Sequence, residues 1–309
     1  MKKNIAIAMG GYSTEFDISL KSGETVYQHL DRSKFNPYRI HITKDSWWLV
    51  TDDGVKHSID KSNFTATINK EVIHFDLVFN TIHGTPGEDG ILQAYLQVMG
   101  IPQTACDFYQ AALTFNKRDC ISVLHAYGIK TAKNYFINQG DVINAEEIVE
   151  KVGLPCFVKA NRAGSSFGIS KVKKIEDLEL AIQHSFKEDE QVIIESFLEG
   201  TEVSVGVINY KGEPLALPVT EIISENEFFD YDAKYLGKSQ EITPANISKE
   251  QTKAVQEEAL KIFKFLNLKG FTRAEFIFHN QEPQVSTASV NKSCKLIPAA
   301  LACCGRRLA

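Results

Sequence analysis

The spacing of apolar and polar positions in the first third of the chain predicts strands joined to helices by glycine-rich loops. An apolar run at residues 5–9 ends in glycines and is followed by helix-like spacing at residues 20–30. Further strands are predicted at residues 38–43 and 75–80, and a helix at residues 91–99. This order predicts an α/β domain with a parallel sheet, in which ligands lie beyond the carboxyl ends of the strands.

The rest of the chain predicts shorter strands, several helices and one long helix. Ser248 and Gln251 have the spacing of a capping box at the start of the long helix, and Gly270 follows its end. Strands are predicted at residues 134–137, 191–197, 202–207, 215–222 and 271–278, and two more on either side of a loop within residues 157–172. Helices are predicted at residues 107–127, 143–152, 175–186 and 248–268.

A loop of small residues after Lys159 is a candidate phosphate site. Gly164 and Gly168 expose backbone N–H groups, Ser165 and Ser166 add hydroxyls, and no acidic side chain is present. Polyphosphates are bound by such donors together with fixed cations. The loop is neither a Walker loop, since no G-x-x-x-x-G-K-[ST] occurs, nor a dinucleotide fingerprint, since no helix follows. An ordinary hairpin turn can have the same composition, so the loop alone leaves both interpretations open.

Two other loops carry an acid and a histidine after predicted strands. Glu15 follows Gly10 and Gly11, and His83 begins the run His83-Gly-Thr-Pro-Gly-Glu-Asp-Gly90. Glu15 alone could be a first-turn acid that stabilises a helix, and His83 alone could be a polar loop residue. Two such loops at the same edge of one sheet favour a binding site.

Further candidates lie on later elements. Lys117 is in a predicted helix, where a solvated face is the alternative interpretation. Glu195 and Glu202 flank a predicted strand connection, where carboxylates and exposed backbone could bind an adenine edge and ribose hydroxyls. Arg273 and Glu275 share one face of a strand, as a structural salt pair or as a cation beside a metal ligand. A long polar loop at residues 227–238 is typical of a lid or binding loop.

The composition excludes some classes of function. With 309 residues the chain has room for two or three domains, and the formal net charge of −5 argues against general nucleic-acid binding. No run approaches the roughly 18 apolar residues of a membrane span. The six cysteines are scattered without metal-site spacing, which predicts reduced, mostly buried thiols in a cytoplasmic protein.

Six segments in order resemble the ATP-grasp superfamily and, within it, the D-alanine–D-alanine ligase family. They cover most of the chain up to about residue 283 and are Gly10–Glu15, His83–Gly90, Lys159–Gly168, Glu195–Glu202, Lys234-Tyr235 and Arg273-Ala-Glu275. The resemblance implies an ATP-grasp fold of class α/β (α+β in the ATP-binding part). It divides the chain into an N-terminal parallel-sheet domain (residues 1–104), a central domain (105–197) and a C-terminal domain (198–309), with ATP between the last two sheets.

The resemblance also implies a role for each matching residue. Lys117 and Lys159 would contact the phosphates of ATP, and the loop with Ser165 and Ser166 would close over them. Glu195, Phe197 and Leu198 would meet adenine, Glu202 the ribose and Lys234 the γ-phosphate. Glu15 would hold the ammonium of the first D-alanine, with Ser165 and Tyr235 linked to it. His83 and Arg273 would face the reacting carboxylates, and Glu275 would bind Mg²⁺ or Mn²⁺.

The implied activity is ATP-dependent ligation of two D-alanines through an acyl phosphate, for the synthesis of peptidoglycan precursors. The resemblance also implies a cytoplasmic homodimer that binds neither nucleic acid nor membrane. Tyr235, where depsipeptide-forming relatives have histidine, indicates a dipeptide product. A biotin-dependent carboxylase shares the ATP chemistry, but the Glu15 and His83 loops argue against it. An ATP-binding protein without turnover is the remaining alternative.

After about residue 283 the chain departs from the family pattern. The family continues with Glu-x-Asn, which this chain lacks, and residues 284–309 contain no Asp or Glu. Composition alone would place about three acids in such a stretch. We hypothesise that this tail is frame-shifted or artificially introduced, which sequencing the source gene would test. As written, it removes two of three expected metal ligands and part of the second D-alanine pocket, so ligase activity is expected to be impaired.

Overall fold

The computed structural model describes residues 2–164, 168–224 and 239–290. These residues form two compact units. The first contains residues 2–112 with Leu268–Thr272, and the second contains Leu113–Asn267 with Arg273–Val290. Each unit has its own sheets.

A seven-stranded sheet of order β6-β5-β4-β3-β2-β1-β7 forms the centre of the first unit. Strand β1 is parallel to both β2 and β7, as predicted, whereas β2 to β6 pair antiparallel in sequence order. The antiparallel extension was not predicted from the sequence. The strands are β1 Lys3–Gly10, β2 Phe35–Ile42, β3 Trp47–Val50, β4 Lys56–Asp60, β5 Thr65–Ile68, β6 Glu71–Ile73 and β7 Leu77–Asn80.

Strand β1 is buried on both faces, which explains why its sequence reads as a continuous apolar run. Ile7 and Met9 belong to one core cluster with Val26 of α1, whereas Ala6 and Ala8 belong to another. Successive side chains of a strand point to opposite faces, so this division follows from the alternation. The helices that begin in this unit are α1 Phe16–His29, α2 Ile91–Val98 and α3 Phe108–Phe115.

Gly90, at the start of α2, is a position that a side chain would strain. Its φ is +91°, and a Cβ there would lie 2.3 Å from the carbonyl oxygen of Phe108. We expect Gly90→Ala to lower the free energy of unfolding by about 2–4 kcal/mol, because the left-handed conformation and the overlap both oppose a side chain. Urea denaturation measures this loss.

Gly54 provides the matched control for this variant. It also has positive φ, +81°, but a Cβ there meets nothing within 4 Å. Gly54→Ala should therefore lose only the conformational part, about 1–2 kcal/mol. Equal losses in the two variants would show that close packing at Gly90 contributes nothing.

The second unit contains a four-stranded antiparallel sheet of order β10-β9-β11-β8. Its apolar face packs under two helices through a cluster that includes Ile148, Val158, Ile182 and Ile194. The elements are β8 Asn134–Asn138, α5 Ala145–Val152, β9 Cys156–Ala160, β10 Ser170–Val172, α6 Leu178–Ser185 and β11 Gln191–Ser196, preceded by helix α4 Lys117–Ala126.

A six-stranded sheet completes the second unit. Its order is β15-β14-β12-β16-β17, with β13 paired to β12. The capping box predicted for the long helix α7 is confirmed, because Ser248 Oγ accepts from Gln251 N–H at 3.1 Å and Gln251 Oε1 accepts from Ser248 N–H at 3.0 Å. The elements are β12 Thr201–Tyr210, β13 Glu213–Ala216, β14 Thr220–Ser224, β15 Ser239–Ile242, α7 Lys249–Phe265, β16 Phe271–His279 and β17 Glu282–Val290.

Three cysteines lie in the described part of the chain; all three are buried, and none of them forms a disulfide there. Burial raises the pKa of Cys106 to about 11, of Cys120 to about 12 and of Cys156 to about 11. These thiols therefore stay protonated near neutral pH. Among the helices of the described residues, none has the length and apolar character that crossing a membrane requires.

Candidate functional site

In the first unit, the loops after β1 and β7 are brought together as predicted. Ser13 Oγ donates to the carbonyl oxygen of His83 at 2.9 Å, and Glu15 N–H donates to the same Oγ at 3.2 Å. Glu15 is 3% exposed and His83 1%. Strands β1 and β7 are parallel neighbours, so both loops leave the same edge of the sheet.

Helix α1 also holds His83. The ring Nε2 of His83 lies 3.1 Å from Ser22 Oγ, one turn after Ser19 on α1. Ser19 Oγ donates to the carbonyl oxygen of Thr81 at 2.9 Å, which fixes the backbone just before His83. Ser22 was not predicted, and its one sequence signal is the three-residue spacing from Ser19 on a helix that follows the glycine loop.

Buried polar groups shape the backbone after His83. Glu88 Oε2 accepts from the N–H of Gly84 at 2.8 Å, and Asn80 Nδ2 donates to the carbonyl oxygen of Gly87 at 2.7 Å. Gly84 has φ +70°, and a Cβ on it would lie 2.8 Å from Ser13 Oγ. The acid and the glycines of this motif therefore build the loop that carries His83.

In the second unit, Lys159 and Glu195 form a buried ion pair across β9 and β11. Lys159 Nζ donates to Glu195 Oε2 at 2.7 Å, and both side chains are buried. In the register of these strands Lys159 lies opposite Ile193, and Glu195 lies opposite Phe157, which makes the pair diagonal. Both residues were predicted, whereas their pairing was not.

Aromatic rings and a second lysine lie next to this pair. Phe157 and Phe197 have centroids 6.0 Å apart, and the ammonium of Lys171 on β10 lies 4.2 Å from the centroid of Phe197. Phe197 and Leu198 are partly buried where the chain leaves β11, and Glu202 is partly buried on β12. Lys171 was not predicted. Its position in β10, across from Phe157, could have indicated it.

The Lys117 ammonium lies on the backbone at the end of β9. Lys117 Nζ donates to the carbonyl oxygens of Ala160, Asn161 and Ala163 at 2.9, 3.0 and 2.9 Å. Lys117 is 6% exposed, so the interpretation of this residue as part of a solvated helix face is wrong. The structure places this cation beside the start of the loop that contains Gly164.

Arg273 and Glu275 form a buried ion pair on β16, as their shared face predicted. The guanidinium Nη2 contacts Glu275 Oε1, and Arg273 Nε has no acceptor within the described residues. Opposite Glu275, strand β17 has a register shift, with Val285 facing Phe276 and Val290 facing Ala274. The ion pair that the structural interpretation expects is therefore present, and the Nε–H of Arg273 can donate to a further acceptor.

The described residues do not fit a metal held by protein carboxylates alone. The sequence of residues 286–289, in the shifted part of β17, is Ser-Thr-Ala-Ser and offers no acid. Over residues 2–164, 168–224 and 239–290, no three His, Cys, Asp or Glu side chains come close enough to hold a metal ion. Glu275 stays a candidate ligand with Arg273 as its partner. Four predicted residues lie outside the described ranges, namely Ser165, Ser166, Lys234 and Tyr235. The tail after Val290 lies outside them as well.

Comparison with known proteins gives two family models that match most of the chain. The model of the D-ala D-ala ligase N-terminus matches residues 4–106, and that of the D-ala D-ala ligase C-terminus matches residues 123–294. The second match extends past residue 283, where the motif pattern departs.

Curated relatives and solved structures agree with these models. D-Alanine–D-alanine ligase of Christiangramia forsetii is 65% identical over 291 residues, covering 94% of this chain and 89% of the relative. The D-alanine–D-alanine ligase of Flavobacterium johnsoniae is 62% identical over 281 residues, covering 91% of this chain and 87% of the relative. The crystal structure of VanG D-Ala:D-Ser ligase from Enterococcus faecalis is 31% identical with a TM-score of 0.79, over 95% of this chain and 91% of that one. The crystal structure of D-alanyl-alanine synthetase A from Vibrio cholerae is 28% identical with a TM-score of 0.82, and the match covers 94% of this chain and 89% of that one. This chain belongs to the D-alanine–D-alanine ligase family, whose ATP-grasp fold it shares.

Proposed function

We propose that this chain joins two D-alanines into D-alanyl-D-alanine, using ATP, for the synthesis of peptidoglycan precursors. The family and its named relatives support the reaction. The observation that carries the choice of substrate is the pair of loops in the first unit, where Glu15 and His83 are both buried and joined through Ser13. A carboxylate and an imidazole suit the ammonium and the carboxylate of a small amino acid.

The proposed binding of ATP uses the second unit. Lys159 and Lys117 contact phosphates, with Ser165 and Ser166 in the loop over them and Lys234 at the γ-phosphate. Glu195, Phe197 and Leu198 bind adenine, and Glu202 binds the ribose. The burial of Lys117, Lys159 and Glu195 supports this assignment, since a buried cation interacts more strongly with phosphate than a solvated one does.

The proposed chemistry begins when a carboxylate oxygen of the first D-alanine attacks the γ-phosphorus. The bond from that phosphorus to the bridging oxygen of ADP breaks, and an acyl phosphate forms. The neutral amine of the second D-alanine then attacks the acyl carbon, and a tetrahedral oxyanion forms. The oxyanion collapses as the nitrogen loses a proton, and the C–O bond breaks with its electron pair on the departing phosphate. Arg273 stabilises the oxyanion, and its buried Nε without an acceptor among the described residues supports that role. In this proposal Ser165 and Tyr235 act with Glu15, and Tyr235, in place of a histidine, favours the dipeptide product.

We propose Glu275 as a ligand of Mg²⁺ or Mn²⁺, which an ATP-dependent ligase of this family uses with the nucleotide. Mg²⁺ is often bound by one or two carboxylates together with substrate phosphates. The described residues do not form a complete protein-held centre, so the nucleotide phosphates would have to supply the remaining ligands.

We propose the domain division 1–104, 105–197 and 198–309 for this chain. The separate four-stranded and six-stranded sheets of the second unit support the last two domains. We also propose that the protein is a cytoplasmic homodimer, because dimers are common in the family. Light scattering of the purified chain tests the oligomeric state.

A second candidate function is ATP binding without turnover. It is favoured by the absence of Glu-x-Asn and of any acid in residues 284–309. Phosphate release measured with ATP, Mg²⁺ and D-alanine separates the two functions, with L-alanine and no amino acid as controls. We expect release only with D-alanine, together with a new dipeptide. Stabilisation by ATP without release would support the second function.

A further inference from the structure

Asn161 follows β9 directly and is fully buried, with 0% of its surface exposed. Its Nδ2 donates to Asn116 Oδ1 at 2.9 Å and to Gln191 Oε1 at 3.0 Å, and its Oδ1 accepts from the N–H of Arg118 at 2.8 Å. Both N–H bonds and the carbonyl of this amide are therefore used. A buried amide with all of its groups bonded can adopt only one orientation.

The partners of Asn161 lie on a helix and on a neighbouring strand. Asn116 is the N-cap of α4, and its Oδ1 also accepts from Asp119 N–H at 3.1 Å. Gln191 begins β11, and its carbonyl oxygen accepts from the N–H of Asn161 at 2.9 Å. The Asn161 amide thus connects the first turn of α4 to the sheet.

The backbone around Asn161 is held from two directions. We define residues 160–163 as the loop root, from which the chain continues to Gly164. On one side, the Lys117 ammonium donates to three carbonyl oxygens of the loop root. On the other, Asp189 accepts from Arg162 N–H at 2.6 Å and from its guanidinium at 2.7 Å. Lys117 follows Asn116 in sequence, so the amide network fixes the helix turn that carries this ammonium.

We propose that Asn161 is a positioning residue for the phosphate groups of ATP, acting through Lys117 and the backbone of the loop root. This inference rests on the proposed function, because it takes Lys117 to contact the phosphates of ATP. Phosphate binding by an ammonium and backbone N–H groups depends on their exact placement, and displacements of about 1 Å are costly. Losing the amide releases the turn of α4 from the strand end, while the adenine-binding residues after β11 keep their own contacts.

The test compares AMP with ATP in Asn161→Leu, which keeps the branched shape of the asparagine side chain and has no hydrogen-bonding group. Dissociation constants are measured by calorimetry with Mg²⁺ present and D-alanine absent. We expect the ratio of the AMP constant to the ATP constant to fall about tenfold, since hydrogen bonds of this kind are worth about that factor. The constant for AMP itself should change less than about twofold.

Asn116→Ser provides a milder second variant. Serine keeps a good N-cap oxygen for α4 but lacks the amide carbonyl that accepts from Asn161. It should fold even if Asn161→Leu does not, and its ratio should fall in the same direction. Ile182→Ala is the control, because it removes buried volume from the core of the same sheet without touching the loop root. Its stability should fall while its AMP-to-ATP ratio stays that of wild type.

The outcomes separate this inference from the function on which it rests. If the wild-type chain binds neither nucleotide, the proposed function fails and this inference fails with it. If wild type binds ATP more tightly than AMP and both asparagine variants keep that ratio, Asn161 has a purely structural role and only this inference is overturned. A fall in the ratio in either variant, with the Ile182→Ala ratio unchanged, supports it.

Discussion

Lys159→Met should lower the free energy of unfolding by about 3–5 kcal/mol in the absence of ligand and should abolish ATP-dependent phosphate release. The first effect follows because Glu195 would remain buried without the ammonium that lies 2.7 Å from it. The second follows because the variant removes a cation that we place on the phosphates of ATP. Urea denaturation measures the first, and the phosphate assay with D-alanine measures the second.

A double variant separates these two effects. Lys159→Met with Glu195→Gln leaves no buried charge unpaired, because both members of the ion pair become neutral. We expect most of the lost stability to return while phosphate release stays absent. If release returned as well, Lys159 would act only by neutralising Glu195, and its proposed contact with phosphate would be wrong.

Lys171 serves as the matched control lysine. It lies on the neighbouring strand with its ammonium over the ring of Phe197 and only partly buried. A cation–π contact at such a site is worth about 0.5–1 kcal/mol. Lys171→Met should therefore cost much less stability than Lys159→Met. A comparable loss would show that the density of positive charge, rather than the specific pair, stabilises this sheet.

The features that the sequence predicted correctly depend on short-range rules. Ser248 and Gln251 are three residues apart and form their capping box by themselves. Arg273 and Glu275 are two apart on a strand, which places them on one face whatever the fold. The meeting of the Glu15 and His83 loops needed one further rule, that parallel neighbouring strands end at the same edge. The capping box and the shared strand face therefore required only local geometry, whereas the meeting of the two loops also required the strand order of a parallel sheet.

The features that the sequence did not predict depend on contacts between distant residues. Ser22 and His83 are 61 positions apart, and the contact of Lys117 with Ala163 spans 46. An amphipathic helix pattern places Lys117 near solvent, but the tertiary structure buries it on carbonyl oxygens. Strands β3 to β6 are three to five residues long, too short for alternation to distinguish them from turns. No local pattern contains this information.

Arg273→Lys should preserve most of the stability but lower the rate of D-alanine-dependent phosphate release by about 10²–10³-fold. Lysine keeps a positive charge beside the buried Glu275, so the carboxylate is not left uncompensated. It lacks the planar set of donors that lets a guanidinium bond Glu275 and a second acceptor together. The proposed oxyanion would lose its donor. Steady-state assays at saturating ATP and D-alanine measure the rate, and calorimetry measures ATP binding.

Arg273→Leu is the variant with which Arg273→Lys is compared. It removes the positive charge as well as the planar set of donors, so we expect a further loss of about 3–5 kcal/mol in the free energy of unfolding. If Arg273 serves only as the structural partner of Glu275, the lysine variant should keep its rate, and only the leucine variant should lose both stability and activity. If Arg273 also stabilises the oxyanion, the lysine variant should bind ATP as wild type does and still turn over slowly. The two variants thus decide between a salt pair that only holds β16 and a cation that acts on the reacting groups.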